Sequence, residues 1–345
     1  MNIGDSSARD LLLVLLLITV ILLSCQPNHA YSSSVVVAVA HPSLEAVVSA
    51  IGGERVRTLL LVPLGVDPHH YEPPALELVT LLRDARVVLM TGPSHLPIEE
   101  RIEEIYKYGA FDWTLLTYRN YIENGLQMLT NPATGQVNPH GYFLSINGLK
   151  SIALSLYKAL VEVDPEGKDY YESRLNVYLN YLERLNSTLK YLIKHVKTVR
   201  VGLVTPALQY ACADAGLEVT YLLLREHDVP LEAKDLLDAV NKYGKIYDVL
   251  VMSDLDFTLY SEMVKELVKR GVHLVVVPLS NFLTVAPELT PLTIAVEIGS
   301  PSITIERWNE AMGPYIVIAI TLPLVTTIVL IIYVLRVRIY GASRK

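Results

Sequence analysis

Short apolar runs without polar alternation recur along the first half of the chain, separated by segments whose apolar residues repeat at helical spacing. Such runs lie at 35–40, 57–62 and 85–90. A continuous apolar run is typical of a strand that is buried on both faces of a parallel sheet. Helices are predicted between these strands at 43–51 and 74–83. The alternation therefore predicts a parallel sheet that is covered by helices.

The same alternation returns in the second half of the chain. Strands are predicted at 200–204, 219–224, 249–252 and 273–277, with helices at 207–215, 231–242 and 260–270. The stretch 168–199 contains no Gly or Pro and predicts a linking helix about 45 Å long. The predicted fold class is α/β, with two lobes that each hold a mostly parallel sheet and flanking helices. One long rigid helix joins the N-terminal lobe, 33–167, to the C-terminal lobe, 200–300.

The first 25 residues have the pattern of an export signal. Leu11 to Leu23 is an unbroken apolar run, too short for a bilayer core that needs about 20 residues but suited to a signal peptide. The sequence Leu22-Leu23-Ser24-Cys25 resembles a lipobox, in which the cysteine is lipidated. Residues 1–25 are interpreted as a signal peptide or N-terminal anchor with Cys25 as the candidate lipidation site. In the alternative, Cys25 is part of an uncleaved anchor.

The C-terminal segment has the length and composition of a transmembrane helix. Residues 315–335 carry no charge and are followed by Arg336, Arg338, Arg344 and Lys345. By the positive-inside rule, this basic tail is cytoplasmic and the body of the chain is extracytoplasmic at the cell membrane. The alternative is a buried core helix.

The amino-acid composition excludes several kinds of binding partner and several kinds of site. The 345 residues include 29 basic and 36 acidic side chains, for a net charge of −7, and 51% are hydrophobic. The body holds no cluster of Lys and Arg, so no nucleic-acid partner is expected. Two cysteines, Cys25 and Cys212, exclude a disulfide scaffold or a cysteine-rich metal site.

Two of the nine histidines share a local setting. His69 lies in Asp67-Pro68-His69-His70-Tyr71-Glu72-Pro73, and His140 lies in Asn138-Pro139-His140-Gly141-Tyr142. A preceding proline fixes the backbone and presents each imidazole from a stiff loop ahead of a predicted helix. Neutral imidazole is a ligand for zinc, manganese, iron and copper. The alternative for each is an ordinary surface histidine.

At these motifs the chain resembles the zinc- and manganese-binding solute-binding proteins of ABC importers. The resemblance begins with Gly65 to Pro73 and continues through Leu81-Leu82-Arg83-Asp84-Ala85-Arg86-Val87-Val88 and Thr91-Gly92. Asn138-Pro139-His140 is similar to the second motif of that family, and Asp164 to Tyr171 is similar to the start of its linking helix. The resemblance covers about 35–295. It implies two α/β lobes bridged by a rigid helix, with metal bound between them.

The resemblance implies that His69 and His140 are metal ligands. At the third and fourth ligand positions of the family, this chain has different residues. Thr205 stands where the family has His or Glu, five residues before a Tyr, and Asn281 is nearest to the family's Asp. Neutral oxygen donors are weak ligands for a borderline-soft ion. Three alternatives follow: nearby groups substitute as ligands, the site takes a different ion or a metal chelate, or metal binding has been lost. The candidate substitutes are His70, His95, His227 and Asp254.

The implied function is the solute-binding component of an ABC importer. It would capture a divalent metal ion, zinc or manganese, in the cleft between two lobes and deliver it to the permease, which an ATPase drives. No catalytic residue is expected. The alternative is a two-lobed binding or sensor protein with a degenerate metal site and an unknown ligand. A metal-dependent hydrolase that used the two histidines would lack a candidate general base near a well-formed motif.

Overall fold

The computed structural model describes residues 34–66, 68–92, 96–109, 111–194, 199–225, 232–281 and 283–299. The chain divides into two compact units. The first unit contains the described residues up to Tyr121 together with Ala153–Tyr178, and the second unit contains Ile122–Ile152 together with the described residues from Leu179. The domain boundary predicted at 167 assigns 122–152 to the first lobe. The structure groups this segment with the second unit, where its side chains and backbone bond to residues that follow the fifth strand.

The first unit is built on a four-stranded parallel sheet. Its strands are β1 (Val35–Val39), β2 (Val56–Leu60), β3 (Val87–Leu89) and β4 (Thr114–Leu116), in the order β2-β1-β3-β4. All five residues of β1 are buried, as expected of a central strand with both faces covered. The strands predicted at 35–40, 57–62 and 85–90 are therefore confirmed, and β4 is an additional edge strand of three residues.

Helices cover this sheet. They are α1 (Glu45–Gly52), α2 (Ala75–Leu82), α3 (Pro97–Lys107) and α4 (Tyr118–Glu123). Leu78 and Leu82 of α2 and Ile98 and Ile102 of α3 are buried in one apolar cluster with Trp113. Leucine and isoleucine at spacing i, i+4 face the same side of a helix, so each helix contributes one apolar stripe to the core.

Two long helices follow in the chain, α5 (Ile146–Val163) and α6 (Lys168–Ile193). Helix α6 has 26 residues, which corresponds to about 39 Å. It is the long helix predicted at 168–199, and it ends at Ile193, six residues before the predicted end. The division between the two units falls within α4, α5 and α6.

The second unit contains another four-stranded parallel sheet. Its strands are β5 (Arg200–Leu203), β6 (Glu218–Leu222), β7 (Val249–Ser253) and β8 (Leu274–Val277), in the order β6-β5-β7-β8. Its helices after β5 are α7 (Gln209–Asp214), α8 (Ala233–Lys242), α9 (Asp254–Leu259), α10 (Ser261–Lys269) and α11 (Thr290–Gly299). Both sheets place their second strand, first strand, third strand and fourth strand in the same spatial order. The predicted pair of parallel α/β sheets is confirmed.

A side-chain cluster in the first unit fixes the turn between α5 and α6. Arg55, just before β2, donates three hydrogen bonds to the carboxylate of Asp164, at 2.8 and 3.0 Å to Oδ2 and at 2.9 Å to Oδ1. The hydroxyl of Tyr171 donates a fourth at 2.7 Å to Oδ2. Burial acts to raise the pKa of Asp164, but the bonds from Tyr171 and Arg55 together outweigh it and hold the pKa below its ordinary value. The carboxylate therefore stabilises the fold in its charged form.

We expect Asp164→Asn to lower the free energy of unfolding by about 2 kcal/mol at pH 7, because charge-assisted hydrogen bonds are lost. A lowered folded-state pKa stabilises the protein above the unfolded value of about 3.9, and this stabilisation is lost as the pH falls through the folded-state pKa. The difference between wild type and variant in urea unfolding should therefore shrink between pH 7 and pH 3. Glu166→Gln, at an exposed position two residues later, is the matched control. An equal loss at both pH values would contradict this role.

Among the described residues, no helix is both long enough and apolar enough to cross a membrane. The segments for which the sequence predicts a signal or anchor, 1–25, and a transmembrane helix, 315–335, lie outside the described residues.

Candidate metal site

The strand order of each sheet marks the place where a ligand is expected. In open parallel sheets, ligands bind beyond the carboxyl ends of the strands, where the strand order reverses. This point lies between β1 and β3 in the first unit and between β5 and β7 in the second. Three residues each lie two positions after the end of a strand that borders this point. They are His41 after β1, Thr91 after β3 and Thr205 after β5. Asp254 directly follows β7.

His69 lies in the loop between β2 and α2 of the first unit. Its side chain is half-buried and its Nε2 atom is buried, whereas His70 is exposed. In the same loop, Glu72 forms an ion pair with Arg101 of α3, with 2.9 Å between guanidinium nitrogen and carboxylate oxygen. Of the two neighbouring histidines, His69 has the partly dry environment that suits a metal ligand.

His41 is a buried histidine that is not among the candidate ligands predicted from the sequence. Its Nδ1 accepts a hydrogen bond of 3.2 Å from the backbone N–H of Ser43 and so caps the short turn Pro42–Leu44. Because Nδ1 is an acceptor, the neutral ring carries its proton on Nε2. His41 therefore acts as a helix cap in this structure. The sequence signal for this cap is the pair His41-Pro42, which closely follows a buried strand.

Thr91 is held by a fully buried carboxylate. Glu99, in the first turn of α3, accepts hydrogen bonds from the backbone N–H of Thr91 at 2.5 Å and from its hydroxyl at 3.0 Å. The backbone N–H of Gly92 donates to the second oxygen at 3.1 Å. Burial raises the pKa of Glu99 to about 8, although the bonds from Thr91 and Gly92 act in the opposite direction. This carboxylate fixes the backbone at the carboxyl edge of β3.

The loop that carries His140 is bonded to the start of α7 in the second unit. Asn138 is fully buried and donates from Nδ2 to the carbonyl oxygen of Pro206 at 3.0 Å and to Oε1 of Gln209 at 2.8 Å. Its Oδ1 accepts from the backbone N–H of His140 at 2.9 Å. Tyr210 donates to the carbonyl oxygen of Asn138 at 2.6 Å. Buried polar groups that are all bonded define one arrangement of the loop, so His140 is placed next to the turn that follows β5.

Thr205 lies at the switch point of the second sheet and is bonded to Asp256. Both side chains are 2% exposed, and the Thr205 hydroxyl donates to Oδ2 of Asp256 at 3.1 Å. Asp256 also accepts from the hydroxyl of Ser253 at 2.9 Å. The pattern Ser-x-x-Asp at the start of a helix is a capping box, and this pattern is the sequence signal that identifies Asp256.

Asp254 and Asn281 lie at the ends of neighbouring strands. The carboxylate of Asp254 accepts from the backbone N–H of Ser280 at 3.1 Å and also from the Ser280 hydroxyl. Asn281 belongs to the same short turn, Leu279–Asn281, and its side chain is exposed. The structure therefore brings the candidate substitute Asp254 and the candidate ligand Asn281 to the same edge of the second sheet.

Three predicted positions, Cys25, His95 and His227, lie outside the described residues. Among the residues that are described, no group of three or more His, Cys, Asp and Glu side chains is placed to hold a metal ion. The proposed ligand set of two histidines with Thr205 and Asn281 contains only two side chains of that kind.

Comparison with protein families gives the clearest classification. Residues 37–280 match the family described as zinc-uptake complex component A, periplasmic. The chain belongs to this family. The zinc-uptake component A family consists of solute-binding proteins of ABC importers, so the prediction of a binding protein and not an enzyme is confirmed.

Relatives of this family carry metals in their names. The manganese ABC transporter substrate-binding lipoprotein PsaA of Streptococcus pneumoniae is 25% identical over 68% of this chain and 78% of its own length. The metal ABC transporter substrate-binding lipoprotein SloC of Streptococcus mutans is 26% identical over 72% and 82%. The structure of FpvC from Pseudomonas aeruginosa in complex with Mn²⁺ has a TM-score of 0.62 at 21% identity, over 77% of this chain and 96% of that one. This likeness supports the two-lobed α/β fold.

Proposed function

We propose that this chain is the extracytoplasmic solute-binding component of an ABC importer and captures a divalent metal ion, zinc or manganese. Family membership over residues 37–280 is the observation that carries this proposal. His69 and His140 are the proposed principal ligands, and Thr205 and Asn281 are the proposed weaker ones. The names of relatives such as PsaA and SloC support a metal ion as the transported ligand.

The proposed partners are an ABC permease and its ATPase in the same membrane. The relatives are named lipoproteins, which supports anchoring of the extracytoplasmic body through a lipid on Cys25, with an uncleaved N-terminal segment as the alternative. The apolar stretch 315–335 is proposed as a second anchor that leaves the basic tail in the cytoplasm.

The test is titration of the purified full-length chain with Zn²⁺ and with Mn²⁺ by calorimetry and thermal shift. At an ion concentration of about 100 Kd, the free energy of unfolding should rise by about 2.7 kcal/mol. We expect His69→Ala and His140→Ala each to weaken binding by at least about a hundred-fold, more than the loss of a group that only orients a ligand. His273→Ala, at the amino end of β8 and thus the opposite edge of the sheet, should bind as wild type does.

Absence of a thermal shift with both ions would contradict metal capture. That result would favour the second candidate, a two-lobed binding or sensor protein with a degenerate metal site and another ligand. The observation in its favour is that the described residues hold no group of three His, Cys, Asp or Glu side chains placed for a metal ion. Saturable binding that survives both histidine substitutions would keep metal capture but show that these ligands are wrong.

A further inference from the structure

Thr205 and His41 occupy equivalent positions in the two sheets. Each stands two residues after the first strand of its sheet and directly before a proline that opens a short turn, Pro42–Leu44 or Pro206–Leu208. Each is the N-cap of its turn. The sequences His41-Pro42-Ser43-Leu44 and Thr205-Pro206-Ala207-Leu208 therefore form a repeated structural element, and the two capping side chains can be compared directly.

The two capping side chains do different things. The His41 side chain accepts a backbone N–H from its own turn, as an N-cap normally does. Threonine is itself a good N-cap residue, yet the Thr205 side chain makes no capping hydrogen bond. Its hydroxyl donates instead to Asp256, which follows β7 on the other side of the switch point. Something other than helix capping accounts for the orientation of this hydroxyl.

The hydrogen bond gives the Thr205 oxygen properties that a metal ligand needs. A hydroxyl has one proton and two lone pairs, so donation to Asp256 leaves the lone pairs directed away from that carboxylate. A neutral hydroxyl whose proton is shared with a carboxylate is also a stronger electron donor, as for metal-bound imidazoles that donate to a carboxylate. Both groups are 2% exposed, and burial strengthens the interaction relative to water.

We propose that Asp256 is the positioning residue for Thr205 at the metal site. Through its hydrogen bond with the Thr205 hydroxyl, it provides the negative charge that Thr205 lacks as a ligand. This inference rests on the proposed function. Members with His or Glu at this position would bind metal directly through those side chains, as the resemblance implies. Here the hydroxyl and the carboxylate together replace such a ligand. The pair provides oxygen and no additional nitrogen, which favours a hard cation such as Mn²⁺.

The structural role of Asp256 must be separated from this one. Asp256 also belongs to the capping box of α9, in which Ser253 accepts from the backbone N–H of Asp256 at 3.0 Å. Ser253→Ala is the matched control, because it removes the capping side chain and its hydrogen bond to Asp256 but retains the Thr205 hydroxyl and the Asp256 carboxylate that it bonds to. Asp256→Asn retains an oxygen acceptor for Thr205 and removes the charge. Thr205→Val retains the shape of the side chain and removes the hydroxyl.

The experiment is Mn²⁺ titration of the full-length chain and of these variants by calorimetry, with a thermal unfolding scan for each. We expect Asp256→Asn and Thr205→Val each to weaken Mn²⁺ binding by about ten- to hundred-fold. The double variant should bind no more weakly than Thr205→Val, because Asp256 acts through Thr205. Ser253→Ala should lower the unfolding temperature while the Mn²⁺ affinity stays within a factor of about two.

Three results would overturn the proposal. Unchanged affinity in Asp256→Asn would leave that residue with its capping role alone. Equal loss of affinity in Ser253→Ala would show that the local fold, and not the bond to Thr205, is responsible. A further loss on adding Asp256→Asn to Thr205→Val would show that Asp256 acts independently of Thr205. If the wild-type chain binds neither Mn²⁺ nor Zn²⁺, the proposed function fails as well, so the two failures are distinguishable.

Discussion

Gly141→Ala is expected to destabilise the second unit by about 3 kcal/mol or more and to abolish the metal binding proposed for His140. Gly141 has a φ of 77°, which costs a residue with a Cβ about 1 to 2 kcal/mol. A Cβ at this position would also overlap the carbonyl oxygen of Ala207 and lie 2.7 Å from its carbonyl carbon. The obstacle is backbone and not a flexible side chain, so the loop itself must move.

Movement of that loop would break the contacts that place His140. Asn138 would separate from the Pro206 carbonyl and from Gln209, and Tyr210 would lose the carbonyl of Asn138. Each such bond contributes about 0.5 to 1.5 kcal/mol, and a buried amide left without partners costs more. The loss of stability and the displacement of His140, the proposed ligand, are therefore expected together.

Gly135→Ala is the matched control for Gly141→Ala. Gly135 lies in the same segment with a φ of 71°, and a Cβ there would meet nothing within 4 Å. Its substitution should cost only the backbone strain of about 1 kcal/mol and leave Mn²⁺ affinity unchanged. Urea unfolding followed by far-UV circular dichroism would measure both losses. Equal losses in the two variants would show that close packing against Ala207 does not constrain the loop.

The sequence predicts the central strands of both sheets, because a continuous apolar run can be recognised without knowing which strands lie beside it. β1 and β7 are buried along their whole length, and both are predicted. β4 has three residues and α9 has six, so neither is long enough to show a period of its own. Helices α3, α4 and α11 were also not predicted. The start of α9 was nevertheless signalled by the capping pattern from Ser253 to Asp256.

The side chains of the candidate site are predictable only in part. The proline before His69 and before His140 is a local signal. His69 lies in the loop that follows β2, and the loop of His140 is bonded to the turn that follows β5. The assignment of the His140 loop to the second unit depends on Asn138 and Tyr210, which are 72 residues apart. A hydrogen bond between residues far apart in the chain produces no periodic pattern in a single sequence, so it cannot be predicted from that sequence. The bond between Thr205 and Asp256, 51 residues apart, was missed for the same reason.

The stability of wild type is expected to fall as the pH rises from about 5 to about 8, because of Glu99. Burial raises the pKa of Glu99 to about 8 in the folded protein, against about 4.3 in an unfolded chain. Between these values the folded state keeps a proton that the unfolded state releases, so the free energy of unfolding decreases with increasing pH. At about 1.4 kcal/mol per unit of pKa, the difference between about 8 and about 4.3 corresponds to a total decrease on the order of 5 kcal/mol.

Glu99→Gln should remove this dependence. The amide stays neutral at every pH, retains one oxygen for Thr91 and loses one acceptor for the Gly92 N–H, at a constant cost of about 1 kcal/mol. Wild type should therefore be the more stable protein at pH 5 and the less stable one at pH 9. Glu100→Gln, at the exposed neighbouring position on α3, should follow the wild-type pH profile.

The fluorescence of Trp113 can report this change in urea unfolding. Trp113 is buried in the first unit, where its Nε1 donates to the Leu82 carbonyl at 3.2 Å. The second tryptophan, Trp308, lies outside the described residues, so a Trp308→Phe background assigns the signal to Trp113. A wild-type stability that stays level or rises from pH 5 to pH 8 would show that Glu99 is ionised. In that case, the three hydrogen bonds from Thr91 and Gly92 would stabilise the carboxylate by more than burial destabilises it.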